Sequence, residues 1–184
     1  YDAGKKSVQE TLTEKNLTHL QNAIVDPRYK QDGYRKFQNY IGQTNYRLEE
    51  IYHYVCPPSM LVHPMMDGLL ISEEKTRSLS SIIRAAIVSF GFVFIHPFLD
   101  GNGRMGRLLI TLFLASKKIL HTPCLYISAY LQRHRGAYYA SLAKISKNND
   151  WNTWISFFLR AVVEHSKANA SLLMKMTDLY EISK

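Results

Sequence analysis

The sequence HPFLDGNGRMGR occupies residues 96–107 and lies between two apolar stretches of the 184-residue chain. The stretch at 89–95 reads SFGFVFI, and the stretch at 108–114 reads LLITLFL. Both have the composition of buried elements, whereas the segment between them carries charged side chains and glycines. Because rigid scaffolds present reactive side chains on such loops, we expect the functional site here.

The glycines and arginines of this segment predict a polyphosphate site. Gly101 and Gly103 can adopt a positive φ, and Asn102 tolerates the left-handed region, so their N–H groups could form an anion-binding nest. The apolar run that follows predicts a helix, whose first turn adds free N–H groups and the positive end of the dipole. Arg104 and Arg107 are three residues apart, so on a helix both could reach one polyphosphate.

Two further side chains of the segment suit chemistry on a phosphate. Asp100 is a hard oxygen ligand, and Mg²⁺ usually binds through one or two carboxylates plus substrate phosphates. His96 has an ordinary pKa near neutrality, which suits a general base. Each residue alone would more often be structural, because glycine turns and surface arginines are common. Their order in one segment indicates the attack of a hydroxyl on a phosphorus atom.

The segment follows the pattern HPFxDGNGRxGR at every specified position. This pattern is the signature of the Fic (filamentation induced by cAMP) family, and the chain resembles a Fic-domain AMP transferase. The resemblance extends over roughly Leu12 to Lys167. It includes the segments 33–35, 38–42, 54–58, 125–128, 138–139 and 150–151.

The resemblance implies protein adenylylation, in which AMP passes from ATP to a Tyr, Thr or Ser hydroxyl of a target protein. His96 would be the base, Asp100 would hold Mg²⁺, and Phe98 would be a buried anchor of the loop. The anion hole would comprise Gly101, Asn102 and Gly103, and Arg104 and Arg107 would neutralise the distal phosphates. The nucleotide-binding stretch would thus comprise Asp100, Gly101, Asn102, Gly103, Arg104, Met105, Gly106 and Arg107.

Two other segments resemble ligand-contacting parts of the family. The first corresponds to a hairpin flap, which covers the nucleotide and pairs with the backbone of the target protein; its residues would be Ile41, Gly42, Gln43 and Thr44. Its other interpretation is an ordinary surface hairpin. Tyr138 and Tyr139 match a pair that contacts the nucleoside, although two tyrosines on a helix are more often core residues. Ser146 stands where relatives often carry Asn.

A regulatory feature of many relatives is missing from this sequence. Their inhibitory helix has the pattern [ST]xxxE[GN], and the segment Thr177–Glu181 has the first spacing but is followed by Ile182. The alternatives are an inhibitory segment before Tyr1, one on a separate antitoxin partner, and no inhibitor at all. A homodimer is a further possible assembly of the chain. Since the chain begins at Tyr1 without Met, we expect a fragment of a longer protein.

Length predicts one domain over residues 1–184. The sequence pattern predicts an all-α helical bundle with one small β-hairpin between Tyr34 and Tyr54, and the resemblance implies that this bundle has the Fic fold. Helical spacing of apolar residues predicts helices over Ser7–Ala23, Ser59–Leu70, Glu73–Ile95, Gly103–Lys118, Arg133–Ser146, Trp151–His165 and Ala168–Tyr180. The longest apolar run is too short to span a bilayer, and only two cysteines are present, so we expect a cytoplasmic location without a membrane partner.

Two other functions compete with AMP transfer. The same fold could transfer UMP, phosphocholine or phosphate, or could remove AMP from a modified target. The net charge of +8 also suits a non-catalytic nucleic-acid-binding regulator. Because the basic residues are scattered and His96 and Asp100 are intact, nucleic acid is the weaker interpretation.

Overall fold

The computed structural model describes residues 12–44, 50–120 and 125–182. The chain divides into two compact units, with the boundary between Ile119 and Leu120. The prediction of a helical protein with one small hairpin is confirmed. The prediction that residues 1–184 are one domain stays a prediction.

In its described residues, the first unit combines four α-helices and the hairpin. Helix α3 packs against both α2 and α4, so it is the central helix of this unit. Its apolar residues, such as Val88, Phe92 and Ile95, are buried, as expected for a helix covered on more than one side. The elements are α1 (Glu14–Ile24), β1 (Tyr40–Thr44), β2 (Glu50–Val55), α2 (Val62–Lys75), α3 (Ser81–Ile95) and α4 (Asn102–Ser116), with short 3₁₀ turns at Pro27–Tyr29 and Ser59–Leu61.

Capping side chains explain where two of these helices differ from the prediction. The predicted helix Glu73–Ile95 is interrupted, because Ser80 accepts a hydrogen bond from the N–H of Ile83 and starts α3 at Ser81. The predicted helix Ser59–Leu70 begins only at Val62 and continues to Lys75. The predicted helix Ser7–Ala23 begins at Glu14, because Thr13 caps it; residues 7–11 lie outside the described residues.

The hairpin forms where the sequence predicted it. Strands β1 and β2 are antiparallel, with Tyr40 opposite Val55 and an irregularity between Ile41 and Gly42. The Tyr54 hydroxyl donates to the carbonyl of Phe94 at 2.7 Å. This bond anchors β2 to helix α3.

The described part of the second unit contains three helices, α5 (Ser128–Arg133), α6 (Arg135–Asn148) and α7 (Trp151–Ile182). Trp154, Phe158 and Ala161 of α7 are fully buried in its core. The predicted helices Trp151–His165 and Ala168–Tyr180 are one 32-residue helix, because the polar residues between them include no glycine or proline that would end it. The pattern of apolar residues did not predict α5. No helix of the described residues is both long and apolar enough to cross a membrane.

Candidate active site

The segment 96–107 begins where helix α3 ends. His96 has φ 55° and ψ 59°, and its N–H donates to the carbonyl of Phe92 at 3.0 Å. Pro97 cannot continue the helix because it has no N–H group. A left-handed conformation costs a residue with a side chain roughly 1–2 kcal/mol. The surrounding contacts must therefore hold the backbone of His96 in place.

The imidazole of His96 is oriented by one backbone hydrogen bond. Its Nδ1 lies 3.0 Å from the carbonyl oxygen of Val93. Since a carbonyl can only accept, Nδ1 carries the proton, and Nε2 of the neutral ring is left as a proton acceptor. Burial lowers the pKa of His96 below its usual value. The Val93 bond opposes this, the charge of Arg35 adds to it, and Asp100 opposes it. A lowered pKa keeps the ring neutral at pH 7, as a general base requires.

The loop after His96 is closed by a pair of reciprocal hydrogen bonds. The N–H of Phe98 donates to Oδ1 of Asn102 at 2.9 Å, and Nδ2 of Asn102 donates to the carbonyl of Phe98 at 2.7 Å. Both residues are buried, and the Phe98 ring meets Tyr34 edge to face. The Asn102 side chain is thus used to shape the loop. Only its backbone remains for the predicted anion hole.

The predicted anion hole lies at a helix N-terminus, and of its three residues only Gly101 has a positive φ. Gly101 has φ 86° and precedes α4, and a Cβ there would lie 2.7 Å from Val25. Asn102 and Gly103 already belong to the first turn of the helix, whose regular hydrogen bonding requires a negative φ. Because the N–H of Met105 bonds to the carbonyl of Gly101, the helix provides no partner for the three N–H groups of 102–104. These donors and the helix dipole favour phosphate.

The two arginines lie on the first turns of α4, as the spacing predicted. Arg104 donates to Oδ2 of Asp100 at 2.7 Å and to the carbonyl of Ile24 at 2.5 Å. The Arg107 guanidinium lies over the first helical turn, 3.4 Å from the position of a Cβ on Gly103. Within 12–44, 50–120 and 125–182, no carboxylate forms an ion pair with Arg107. Its charge is available for an anion.

Met105 and Gly106 lie on the interior side of α4. Met105 is fully buried, and a Cβ on Gly106 would lie 2.5 Å from the Val93 side chain of α3. The Ser89 hydroxyl donates to the carbonyl of Gly106 at the same helix crossing. This placement favours a packing role for both residues over the predicted contact with nucleotide.

Polar side chains from the N-terminal third support the loop, and no sequence pattern predicted this role. Gln21 donates to the carbonyl of Asp100 at 3.2 Å, and Gln31 accepts from the N–H of Leu99 at 2.9 Å. Asn39 donates to the carbonyls of Phe98 and Leu99, and its Oδ1 accepts from the N–H of Tyr40. Strand β1, which contains the predicted flap residues Ile41, Gly42, Gln43 and Thr44, therefore begins next to the loop.

The two tyrosines predicted to contact the nucleoside belong to α6 of the second unit. Tyr138 is buried, and its ring contacts Trp154 and Phe157. Tyr139 is 50% exposed, and the guanidinium of Arg135 lies 5.6 Å from the centre of its ring. Tyr138 thus has the surroundings of a core residue, whereas Tyr139 is accessible. A nucleoside contact of either tyrosine stays a prediction.

Comparison with known sequences connects this geometry to one family. A family model described as Fic, Fic/DOC family, matches residues 11–114. The chain is 35% identical over 105 residues to protein adenylyltransferase fic-1 of Caenorhabditis briggsae, and 34% identical over 99 residues to that of Caenorhabditis elegans. These alignments cover 57% and 54% of this chain, but only 18% and 17% of the relatives. The chain thus matches less than a fifth of the length of either relative.

Solved structures give the same result for the fold. A Fic family protein from Desulfovibrio desulfuricans is similar with a TM-score of 0.71 and 28% identity, over 92% of this chain and 51% of that protein. Fic-1 from C. elegans is similar with a TM-score of 0.59 and 20% identity, over 97% of this chain and 51% of that one. At the latter identity the likeness concerns the fold alone.

Proposed function

Because this chain belongs to the Fic/DOC family, we propose that it is a protein adenylyltransferase, which transfers AMP from ATP to a hydroxyl side chain of a target protein. One observation carries the proposal: His96, whose Nε2 is the proton acceptor of the ring and whose pKa is lowered, precedes a helix N-terminus that carries two arginines. The names of the similar C. briggsae and C. elegans proteins support AMP as the transferred group.

In the proposed reaction, His96 acts on the target protein and α4 acts on the nucleotide. Nε2 of His96 accepts the proton of the target hydroxyl while its oxygen attacks the α-phosphorus of ATP. The bond from this phosphorus to the bridging oxygen of pyrophosphate breaks, and pyrophosphate leaves. The N–H groups of 102–104 and the side chain of Arg107 would stabilise the phosphate charges.

Asp100 fits a magnesium ion that is held mainly by the substrate. Its carboxylate side chain is 42% exposed and precedes the helix N-terminus. The described residues contain no group of three or more histidine, cysteine or acidic side chains that could enclose a metal. A site with one carboxylate is usual for Mg²⁺ bound to phosphates. The bound ion would supply positive charge to the α- and β-phosphates.

The hairpin is the proposed binding site for the target protein. In the described part of the chain the sheet has two strands, so the outer edge of β1 has no strand partner. An extended target segment could pair with this edge through main-chain hydrogen bonds. Asn39 links the first residue of β1 to the loop. A paired segment would therefore lie close to His96.

Transfer of a radioactive label tests the proposal. The protein is incubated with α-³²P-ATP, Mg²⁺ and a lysate, and labelled protein bands are measured. We expect His96→Ala to lower transfer by about 10²–10⁴-fold, which is the usual contribution of a general base, with ATP affinity retained. His19→Ala, an exposed histidine of α1, is the control and should transfer normally. Label from UTP alone would indicate another nucleotide. Undiminished transfer by His96→Ala would refute the role of the base.

A second measurement tests the phosphate site separately. Arg107→Ala should weaken the binding of ATP more than the binding of AMP, because the guanidinium would contact the distal phosphates. A charge-assisted hydrogen bond contributes roughly 1.5–3 kcal/mol, which corresponds to about a 10- to 150-fold rise in the Kd for ATP. Calorimetric titration gives both constants. An equal loss for both ligands would show that Arg107 does not contact the triphosphate tail.

A further inference from the structure

Arg35 is a buried arginine whose hydrogen bonds all go to main-chain carbonyls. It is 3% exposed, and within the described ranges it forms no ion pair with a carboxylate. Its guanidinium donates to His96 at 2.7 Å, to Phe37 at 2.9 Å and to Pro57 at 2.6 Å, with a longer bond to Ile95 at 3.4 Å. Burying a charged side chain costs free energy. We therefore expect that the buried guanidinium has a task that a neutral side chain could not perform.

Three of the hydrogen bonds of Arg35 hold the end of helix α3. The carbonyls of Ile95 and His96 are among those that a helix leaves without intrahelical partners. The side chain of Arg35 donates to both, and its main-chain N–H donates to the carbonyl of Pro97 at 2.8 Å. A positive charge at this end of a helix is also favoured by the dipole. These bonds surround His96, the C-cap residue of α3, which has a left-handed backbone.

The other two hydrogen bonds hold the two ends of the hairpin. Phe37 precedes β1, and Pro57 follows β2. One guanidinium therefore joins the entry of the hairpin, its exit and the peptide of His96. A planar group with five donors suits this task, because a lysine ammonium has only three donors around one point.

We propose that Arg35 is a positioning residue, which holds His96 in its left-handed conformation and fixes it relative to the hairpin. This inference rests on the proposed function, because it assigns the hairpin to the target protein and His96 to its hydroxyl. Arg35 itself contacts neither substrate nor reacting atoms. Its removal lets the imidazole and the hairpin move independently, while the phosphate site on α4 keeps its own supports, Asn102 and Gln21.

The kinetic test compares Arg35→Met and Arg35→Lys with the wild type. Both variants should lower kcat by on the order of 100-fold, the usual effect of misplacing a catalytic group by about 1 Å. The Kd for ATP should stay within about threefold. Lysine should not rescue kcat, although it keeps the charge. Rates are divided by the folded fraction, measured by circular dichroism at the assay temperature.

Arg84→Met is the matched control. Arg84 is also a buried arginine of the first unit, but its side-chain hydrogen bonds among the described residues go to Glu73 of α2 and not to the loop 96–101. Arg84→Met should lose stability as Arg35→Met does, but its kcat per folded molecule should stay within about threefold of the wild type. If Arg35→Met behaves like this control, Arg35 is only a structural residue and the proposal is overturned.

A spectroscopic readout needs no enzymatic activity. In protein labelled with ¹⁵N-histidine, the wild-type resonances of His96, assigned with His96→Ala, should show a neutral ring protonated at Nδ1. Arg35→Met should give mixed tautomers, whereas Arg84→Met should leave the spectrum unchanged. If the wild-type protein transfers no AMP, the proposed function is refuted. The histidine spectrum still tests the role of Arg35 in that case, because it does not depend on activity. An unchanged His96 spectrum in Arg35→Met would overturn the proposal.

Discussion

Replacement of Asn102 by alanine should separate the shape of the loop from the rest of the fold. Among the described residues, the Asn102 side chain is the only hydrogen-bond partner of the Phe98 N–H and one of two partners of the Phe98 carbonyl, and the change removes both bonds. The carbonyl keeps its hydrogen bond from Asn39. An unsatisfied buried donor costs about 1–3 kcal/mol, and a lost hydrogen bond with a remaining partner about 0.5–1.5 kcal/mol. We therefore expect Asn102→Ala to lower the free energy of unfolding by roughly 2–4 kcal/mol.

Thermal unfolding, followed by circular dichroism at 222 nm, measures this loss. For a chain of this size, each kcal/mol lowers Tm by about 2–4 °C, so the expected decrease is roughly 4–16 °C. Asn152→Ala, an exposed asparagine of α7, is the control and should change stability by no more than about 0.5 kcal/mol.

Asn102→Asp adds a test of the direction of each bond. At pH 7 its carboxylate still accepts from the N–H of Phe98 but faces the carbonyl of Phe98, so this variant should be no more stable than Asn102→Ala. The folded state raises the pKa of such a carboxyl, so the folded protein binds a proton more readily than the unfolded one. Asn102→Asp should therefore gain stability relative to Asn102→Ala as the pH falls through that pKa. Equal stability of Asn102→Ala and wild type would refute the account of the loop.

Two more predictions concern helix packing and the pH range of the base. Gly106→Ala should lower the free energy of unfolding by about 1–3 kcal/mol, because the new Cβ would lie 2.5 Å from the Val93 side chain. Gly68→Ala should raise it by roughly 0.5–1 kcal/mol, because the space around Gly68 is open. Urea titration of both variants measures the two changes and their opposite signs. The lowered pKa of His96 means that the unfolded state binds more protons between the folded pKa and about 6.5. In this pH window the free energy of unfolding should decrease as the pH falls, and the loss of kcat at acid pH should have its midpoint below about pH 6.5. A midpoint above that value contradicts the effect of burial. So does a pH dependence of unfolding that is retained in His96→Gln.

Local patterns in the sequence predicted the parts of the site that depend on neighbours in sequence. Apolar runs on both sides of 96–107 predicted two buried helices and a loop, because helical periodicity is a local property. The same reasoning placed Arg104 and Arg107 on one face of α4. It failed at Thr76–Ser80, where the serine cap that separates α2 from α3 lies within a run that otherwise continues the helical pattern.

The residues that support the loop could not be identified in this way. Gln21, Arg35 and Asn39 are polar residues of the N-terminal third, and their local patterns are those of solvent-exposed positions. Resemblance marked the segments of Arg35 and Asn39 as family-like but gave neither a task. Their partners are main-chain carbonyls, which carry no sequence signal. The sequence also did not predict that the Asn102 side chain would form hydrogen bonds within the loop. Asparagine suits both an anion hole and a loop-closing hydrogen bond, so its presence does not distinguish the two roles.

The contacts that hold the loop from outside have a consequence for how the protein folds. They join residues far apart in sequence: 59 for Asn39 and Phe98, 61 for Arg35 and His96, 79 for Gln21 and Asp100, and 80 for Ile24 and Arg104. Closing such long loops costs chain entropy before any contact forms, so these bonds arise late in folding, after the local helices. A chain that has formed its helices but not these bonds contains the full signature HPFLDGNGRMGR and no site. The chemistry of the segment therefore appears only when the whole first unit has closed around it.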